Sequence, residues 1–225
     1  GASSRPGAAP VPAAEEAARV VPLIEAIRRD GVELPISVDT TSSLVAAEAV
    51  RAGADVINDI SGGAHDPCMA ATAAGLGVPY ILMHMRGTPA TMQALADYGA
   101  SDGGVVGCVC EELAAALDAA EAQGVPRFDL VADPGIGFAK TAEDNWALLR
   151  GLGEVRSRLR APLLLGASRK SFLGKLLDEP DPKARIWGTA AVSACAVPHA
   201  DIHRVHDVRE MAQVLRAADA IRRLR

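Results

Sequence analysis

The chain has 225 residues, 49% of them hydrophobic, which is enough for one domain with a sizeable core. Its formal net charge is -5 and its cationic residues are scattered, which argues against a nucleic-acid-binding surface. No stretch approaches the about 18 apolar residues of a membrane-spanning helix. We therefore expect small-molecule partners, with no nucleic acid and no membrane.

Short β-rich apolar runs alternate with Ala/Leu/Glu-rich segments of helical spacing along the chain. Such alternation predicts a parallel sheet covered by helices. The predicted strands are 35–39, 55–59, 79–83, 128–132, 162–166 and 201–205. The predicted helices are 13–29, 42–52, 67–75, 105–123, 143–158, 183–197 and 207–224, with another beginning near Lys170.

Two helix starts carry capping signals. Ser42 follows two threonines before one predicted helix, and Asp66 precedes Pro67 before the next. Ser and Asp are favoured as N-caps, and Pro is favoured at the first helical position.

Polar residues concentrate where the predicted strands end. Asp39, Asn58, His84, Asp133 and Arg204 each stand at or just past an apolar run. A (β/α)₈ barrel carries its chemistry at the carboxyl ends of its strands, so the pattern favours an α/β TIM barrel over an open doubly wound sheet. A dinucleotide-binding fold is weakly supported, because the turn at 135–137 lacks the GxGxxG pattern.

The strand count is short, since six strands are visible and a TIM barrel has eight. We expect a single barrel domain over 1–225 that lacks about two strands and one helix at its N-terminus. Strands 35–39 and 201–205 would then be exposed edges. On this basis the chain alone is expected to be a poor catalyst or a non-catalytic ligand-binding remnant.

Asp39, Asn58 and Asp133 suit a heterocycle with an amidine-like edge. Carboxylates accept paired N–H donors, and an amide can donate and accept together. Each residue could instead be a helix cap or a turn residue. Three of them at strand ends favour the ligand site.

Cations stand at three further places. Arg169 and Lys170 follow a buried strand and begin a helix, where anions bind well, although a solvated surface pair is an alternative. Arg204 and His206 project to one side as alternate residues of a strand end and could form a second anion site, or His206 could cap the last helix. Arg5 is a loop cation.

The remaining candidates point to packing. His84, between Met83 and Met85, is interpreted as a core histidine, and the small-residue segment 187–197 as a core or subunit-contact helix. No Cys/His cluster has zinc spacing, and no nucleophile elbow is present. The four cysteines form no CxxC pair, so buried thiols and a reducing compartment are expected. The sequence does not identify that compartment; we expect the cytoplasm, or a mitochondrion or plastid if the source is a eukaryote.

Seven segments together resemble the dihydropteroate synthase family, in the right order over nearly the whole chain. They are SRPGA (4–8), SVDT (37–40), INDISGG (57–63), MHMRGTPATMQ (83–93), DPGIGFAK (133–140), GASRKSFLG (166–174) and RVHDV (204–208). The resemblance implies a TIM barrel of folate synthesis that joins 6-hydroxymethyl-7,8-dihydropterin diphosphate to para-aminobenzoate. It also implies release of pyrophosphate with Mg²⁺, a homodimer, and sulfonamides as mimics of para-aminobenzoate.

By this resemblance the site residues fall into three groups, and Lys170, Arg204 and His206 are also the expected catalytic residues. The pterin is expected to contact Asp39, Asn58, Asp133, Lys170 and Met85. The diphosphate is expected to contact Arg5, Arg204 and His206. The para-aminobenzoate pocket is expected to comprise Ser4, Pro6, Phe138, Lys170 and Ser171.

The chain also departs from the family pattern. Ser4 stands where the family usually has Thr. The Asn that contacts the metal in the family belongs to the segment expected to be missing, so no metal ligand is assigned here. A pterin-binding methyltransferase domain is a rival, disfavoured by the GASRKS and RVHDV segments. A pyrophosphokinase domain fused upstream is a further possible partner.

Overall fold

A computed structural model describes residues 1–3, 7, 9, 11–99 and 103–223, so the predicted site residues Ser4, Arg5 and Pro6 lie outside the described residues. It contains six parallel strands at the six predicted places. They are β1 (Ser37–Asp39), β2 (Val56–Asp59), β3 (Tyr80–Met83), β4 (Leu130–Asp133), β5 (Leu164–Leu165) and β6 (Ile202–His203).

The strands pair in chain order, as in a barrel. β1 to β4 form one sheet, β5 and β6 form a second, and a bridge between Ala132 and Leu163 joins the two. Among the described residues, β1 pairs only with β2 and β6 only with β5. The prediction of an open (β/α) barrel is therefore confirmed.

Nine helices occur in the described part of the chain and cover the strands. They are α1 (Ala13–Arg29), α2 (Ser43–Arg51), α3 (Met69–Leu76), α4 (Gly104–Ala122), α5 (Ala142–Arg150), α6 (Leu152–Leu159), α7 (Ser171–Leu177), α8 (Ile186–Ala196) and α9 (Val208–Arg223). As far as the chain is described, none of them has the length and hydrophobicity needed to cross a membrane.

The prediction of one helix over 143–158 is wrong, because α5 ends and α6 begins around Gly151. A Cβ at this position would lie 2.8 Å from Cγ2 of Val106 in α4. The close approach to α4 favours glycine here, and glycine weakens a continuous helix.

The two capping predictions have different outcomes. Ser42 does cap α2, accepting a hydrogen bond from Val45 N at 3.5 Å. The predicted start of α3 at Pro67 is wrong, since that helix begins at Met69. Asp66 instead accepts bonds from Cys68 N (2.9 Å) and Ser43 N (2.8 Å), which ties the loop to α2.

The cysteine prediction is half right. All four thiols are free, and Cys108 and Cys110 are buried in α4. Cys68 and Cys195 are exposed, so the expectation that all the thiols are buried is wrong. Both stand on outer surfaces, at the start of α3 and near the end of α8.

Side-chain alternation along the strands separates two apolar layers. Val38, Ile57 and Leu82 belong to the large core between strands and helices. Val56, Ile81, Val131 and Leu164 form a separate cluster on the opposite, inner face. Because successive side chains point to opposite faces, the residues two positions beyond the inner layer face inward as well. These inward-facing positions include Asp39, Asn58, Met83, Asp133 and Arg204.

Candidate functional site

The inner face carries a buried polar layer at the carboxyl ends of the strands. Asp39 lies opposite Asn58 in the β1–β2 register, and Met83 lies opposite Asp133 in the β3–β4 register. Asn58 and Asp133 are both buried. In the described residues, Asn58 Oδ1 is buried with no hydrogen-bond partner. Since an unpaired buried amide oxygen is unfavourable, this atom suits an N–H donor of a ligand.

Asp133 and Lys170 form the charged centre of this layer. Burial raises the pKa of the Asp133 carboxyl to about 6, although the Gly135 N–H at 2.8 Å and nearby Lys170 oppose the rise. Burial lowers the pKa of the Lys170 ammonium to about 8, opposed by the charge of Asp133. At neutral pH Asp133 is therefore mainly a carboxylate and Lys170 mainly an ammonium group.

Phe138 supplies an apolar wall beside the charges. Lys170 Nζ lies 4.1 Å from the centroid of the Phe138 ring, a cation–π distance. Phe138 belongs to a small apolar cluster with Ile60, Met83, Met92 and Ala139, against which Met85 packs. Polar groups beside aromatic and thioether side chains are suited to a flat, polar-edged ligand.

Gly137 and Gly135 allow the loop after β4 to approach this centre. A Cβ on Gly137 would lie 3.0 Å from Lys170 Cδ, and one on Gly135 would lie 1.9 Å from the His84 carbonyl oxygen. Both glycines also have positive φ. The DPGIGFAK segment is therefore glycine-rich because its backbone touches β3 on one side and Lys170 on the other.

Arg204 and His206 form a cationic edge where the site opens to solvent. Arg204 Nη2 donates to Asp39 Oδ2 at 2.5 Å, and both side chains remain partly exposed. His206 bonds to Ser168 Oγ through its backbone N (3.2 Å) and its ring Nδ1 (3.0 Å). Burial and neighbouring cations lower the pKa of His206.

Arg169 and Lys170 do not form the predicted joint anion-binding site. Arg169 has a left-handed backbone (φ 59°) and directs its guanidinium to Asp207, with Nε 3.1 Å from Oδ2. Only Lys170 faces the inner layer, so the interpretation of Arg169 as an anion-binding group is wrong. Arg169 instead joins the loop after β5 to the loop after β6. Ser171 is exposed at the first position of α7.

His84 is buried, as predicted, but it belongs to a charged network that the sequence did not reveal. Its Nε2 lies 3.0 Å from Glu112 Oε2, and its Nδ1 lies 2.9 Å from Lys140 Nζ. The side-chain alternation directs His84 away from the inner layer toward α4. The one sequence signal that could have pointed to Lys140 is that it follows the apolar stretch 134–139 of the DPGIGFAK segment.

A cavity of about 680 Å³ adjoins the inner layer. Asp39 and Met85 lie on its wall, together with Thr40, Ile60 and Ser61. Its volume is in the range of pockets that hold drug-sized ligands. Asp39 therefore lies both on the wall of this cavity and in the inner layer.

The family model for pterin binding enzymes matches residues 1–206. The chain belongs to this pterin-binding enzyme family.

Known proteins similar to this pterin-binding enzyme include dihydropteroate synthases. The one from Synechocystis sp. is 51% identical over 222 residues, covering 98% of this chain and 75% of the relative. The Yersinia pestis dihydropteroate synthase with a sulfonamide drug complex matches with TM-score 0.91 and 37% identity, covering 99% of this chain and 78% of that one. The Thermus thermophilus enzyme in complex with 4-aminobenzoate matches with TM-score 0.87 and 42% identity, covering 97% and 81%. The predicted family and barrel fold are confirmed.

The predicted site residues fall into three groups by position in this pterin-binding enzyme. Asp39, Asn58, Asp133, Lys170 and Phe138 come together at the inner layer, with Met85 beside them. Arg204, His206 and Ser171 lie at the more exposed edge. Ser4, Arg5 and Pro6 belong to the part of the chain that is not described. The individual ligand contacts of all these residues stay predictions.

Proposed function

We propose that this pterin-binding enzyme is a dihydropteroate synthase that joins 6-hydroxymethyl-7,8-dihydropterin diphosphate to para-aminobenzoate. The observation that carries the proposal is the inner layer itself. A buried carboxylate, a buried unpaired amide oxygen and an ammonium group stand beside an apolar wall and a cationic edge. The similarity to dihydropteroate synthases supports the same reaction.

The polar layer suits the pterin ring. The Asp133 and Asp39 carboxylates accept N–H donors from the ring edge, and Asn58 Oδ1 accepts another. Met85 and the apolar cluster around Phe138 provide contact for the flat surface of the ring. The ring is thereby oriented with its methylene group toward the cationic edge.

The cationic edge suits the leaving group. The bond between the pterin methylene carbon and the diphosphate oxygen breaks, and its electron pair leaves with pyrophosphate. Arg204 and His206 stabilise that charge, and Lys170 adds a third cation. The amine nitrogen of para-aminobenzoate forms the new bond to the methylene carbon and releases a proton. Since the ring delocalises the developing positive charge, no covalent nucleophile is required.

Para-aminobenzoate is expected beside Phe138, Lys170 and Ser171. The Phe138 ring offers an aromatic surface, and the Ser171 hydroxyl is exposed at the start of α7. Because Lys170 lies between this surface and Asp133, it contacts both substrates in the proposed arrangement.

Magnesium is proposed to enter with the diphosphate. Among the described residues, no group of three or more His, Cys, Asp or Glu side chains could hold a metal ion. Asp39 is a carboxylate at the cationic edge, and Arg204 is bonded to it. The described residues therefore do not build a magnesium site of their own, and Mg²⁺ commonly binds through substrate phosphates and few carboxylates.

A homodimer is proposed through α7 and α8. An apolar groove of about 430 Å³ lies between α5, α6, α7 and α8. The exposed Leu176 lines it, and the exposed Trp187 directly precedes Gly188 of its lining. We expect sedimentation to show a dimer that Trp187→Glu dissociates. The matched control is Phe128→Glu, at an equally exposed aromatic residue before β4. A wild-type monomer at high concentration would contradict the proposal of a homodimer.

A pyrophosphokinase domain fused upstream of this chain stays a prediction.

The function is tested by incubating the purified protein with both substrates and Mg²⁺ and measuring dihydropteroate. We expect product from the wild type and a loss of at least about tenfold in Lys170→Met, the scale of one charge-assisted hydrogen bond. The exposed Lys175→Met is the matched control. A folded wild type that binds pterin but makes no product would support the non-catalytic remnant instead.

A further inference from the structure

Lys140 is a buried charged side chain that the proposed chemistry does not use. It is 4% exposed and lies near the end of the loop, 134–141, that joins β4 to α5. Burying an ammonium group is unfavourable unless hydrogen bonds and opposite charges compensate. Its partners therefore indicate what the fold gains from this lysine.

Lys140 Nζ has two hydrogen-bond partners. It donates to the Phe138 carbonyl at 3.0 Å and to His84 Nδ1 at 2.9 Å. An ammonium group has no acceptor, so His84 Nδ1 accepts and the ring proton lies on Nε2. Nε2 then donates to Glu112 Oε2 at 3.0 Å. Burial lowers the pKa of His84 to about 4, which keeps the ring neutral at neutral pH.

Charged groups from each neighbouring element act on this ammonium. Asp133 at the end of β4, Glu112 on α4 and Asp144 on α5 favour its protonated form, whereas Arg86 after β3 opposes it. Burial outweighs these charges and lowers the pKa of Lys140 to about 7. The ammonium form is therefore complete only on the acid side of neutrality.

The loop that Lys140 holds has an unusual backbone. Ala139 has a left-handed conformation with φ 47°, and its carbonyl accepts a bond from Tyr98 OH at 2.8 Å. The preceding carbonyl, that of Phe138, accepts from Lys140. Two adjacent carbonyls are thus fixed by two different side chains, Tyr98 and Lys140. This fixes the backbone that carries the Phe138 ring, whose centroid lies 4.1 Å from Lys170 Nζ.

We propose that Lys140 is a positioning residue, whose bond to the Phe138 carbonyl holds the Phe138 ring against Lys170 and so shapes the para-aminobenzoate pocket. The proposal rests on the proposed synthase function. Lys140 acts through Phe138 and does not itself contact a substrate. The His84–Glu112 pair anchors Lys140 to α4, because Glu112 lies on that helix. Arg86 also bonds to Glu112.

The test measures KM for each substrate separately in the wild type, Lys140→Met, Lys140→Arg and the exposed control Lys175→Met. We expect Lys140→Met to raise KM for para-aminobenzoate about tenfold and KM for the pterin diphosphate by less than about threefold. Lys140→Arg keeps the charge and is expected to restore most of the loss. In the wild type, KM for para-aminobenzoate should rise as pH increases through about 7, because the neutral amine of Lys140 donates a weaker hydrogen bond to the Phe138 carbonyl than the ammonium does. Lys140→Met should lack that rise.

Several results would overturn the proposal. Equal KM values in Lys140→Met and Lys175→Met would do so, and so would equal increases for both substrates or a pH profile unchanged by the substitution. If circular dichroism shows that Lys140→Met is unfolded, the wild-type pH profile decides, and a flat profile rejects the proposal. A wild type that makes no dihydropteroate overturns the proposed function and this inference together, whereas an active wild type with an unaffected Lys140→Met overturns the inference alone.

Discussion

Asp59 and Asp133 are two buried carboxylates at the ends of parallel strands, and they differ in how fully the protein satisfies them. Asp59 accepts four hydrogen bonds, from Ser61 N (2.8 Å), Ser61 Oγ (2.6 Å), Gly63 N (2.9 Å) and Tyr80 OH (2.9 Å). The side-chain carboxylate of Asp133 accepts one hydrogen bond, from Gly135 N, as far as the described residues show.

The difference follows from the face on which each side chain lies. Asp59 pairs in register with Leu82 of the large core, so it faces the helices, where its own loop closes over it. Asp133 faces the inner layer, where a ligand can supply the missing donors. A buried carboxylate that the chain satisfies stabilises the fold, and one that it leaves half-satisfied can bind a substrate.

We expect the largest effect from Asp133→Asn. Loss of the charge that accepts the pterin donors should lower kcat/KM for the pterin diphosphate about a hundredfold, or about 3 kcal/mol. Stability should not fall. The fold raises the pKa of this carboxyl to about 6, so only its protonated form favours folding, and that contribution is lost as pH rises from about 4 to about 6. At neutral pH the carboxylate therefore does not stabilise the fold, and replacing it by an amide should not destabilise the protein. Steady-state kinetics at neutral pH measure the change in kcat/KM, and thermal melting at the same pH measures the change in stability.

The pH profile of kcat/KM gives a second reading of Asp133→Asn. For the pterin diphosphate, wild-type kcat/KM should fall below about pH 6, where Asp133 is protonated, and above about pH 8, where Lys170 loses its proton. The variant should lose the acid limb and keep the alkaline one. An acid limb that survives the substitution would assign it to another group.

Asp59→Asn should show the opposite pattern. The Asn amide keeps one acceptor oxygen but places N–H groups where two of the four donors of Asp59 need an acceptor, so we expect about 2–3 kcal/mol less stability. Activity of the remaining folded protein should stay within about threefold of wild type, since Asp59 faces away from the inner layer. Urea titration and kinetics on the same samples check this. If Asp59→Asn lost activity but kept wild-type stability, the contrast between a structural Asp59 and a substrate-binding Asp133 would be wrong.

Arg204→Ala tests the exposed edge against the buried centre. We expect binding of the diphosphate substrate to weaken by roughly 1.5–3 kcal/mol, the range of a charge-assisted hydrogen bond. Arg209→Ala, at an exposed position on α9, is the control. Unchanged affinity in isothermal titration calorimetry would remove Arg204 from the proposed diphosphate site.

Tyr80→Phe should have the smallest effect, because it removes one of the four bonds to Asp59. We expect about 1 kcal/mol less stability and unchanged kinetics. The double variant with Asp59→Asn should be less than additive, since both changes remove the same contact. Full additivity in urea titrations would show that the two side chains act independently.

The strands and their polar ends could be predicted from the sequence, because each apolar run is short and ends in Asp, Asn, His or Arg. Asn58 was chosen over Asp59 from its amide chemistry and from the family resemblance, because the strand pattern alone does not tell which of the two faces inward. Arg169 was misassigned because its direction depends on a left-handed backbone and on Asp207, 38 residues away along the chain. The contact between Lys140 and His84 spans 56 residues, beyond the reach of any local pattern.

The strict alternation along the strands limits where this chain tolerates insertions and deletions. Removing Leu130 or Val131 would exchange the two faces, turning Asp133 into the helix-packed core and Ala132 to the inner face. The same change at 124–127, before the strand, leaves that alternation intact. Length variation among relatives should therefore accumulate at the amino-terminal ends of the strands, on the side of the barrel away from the chemistry.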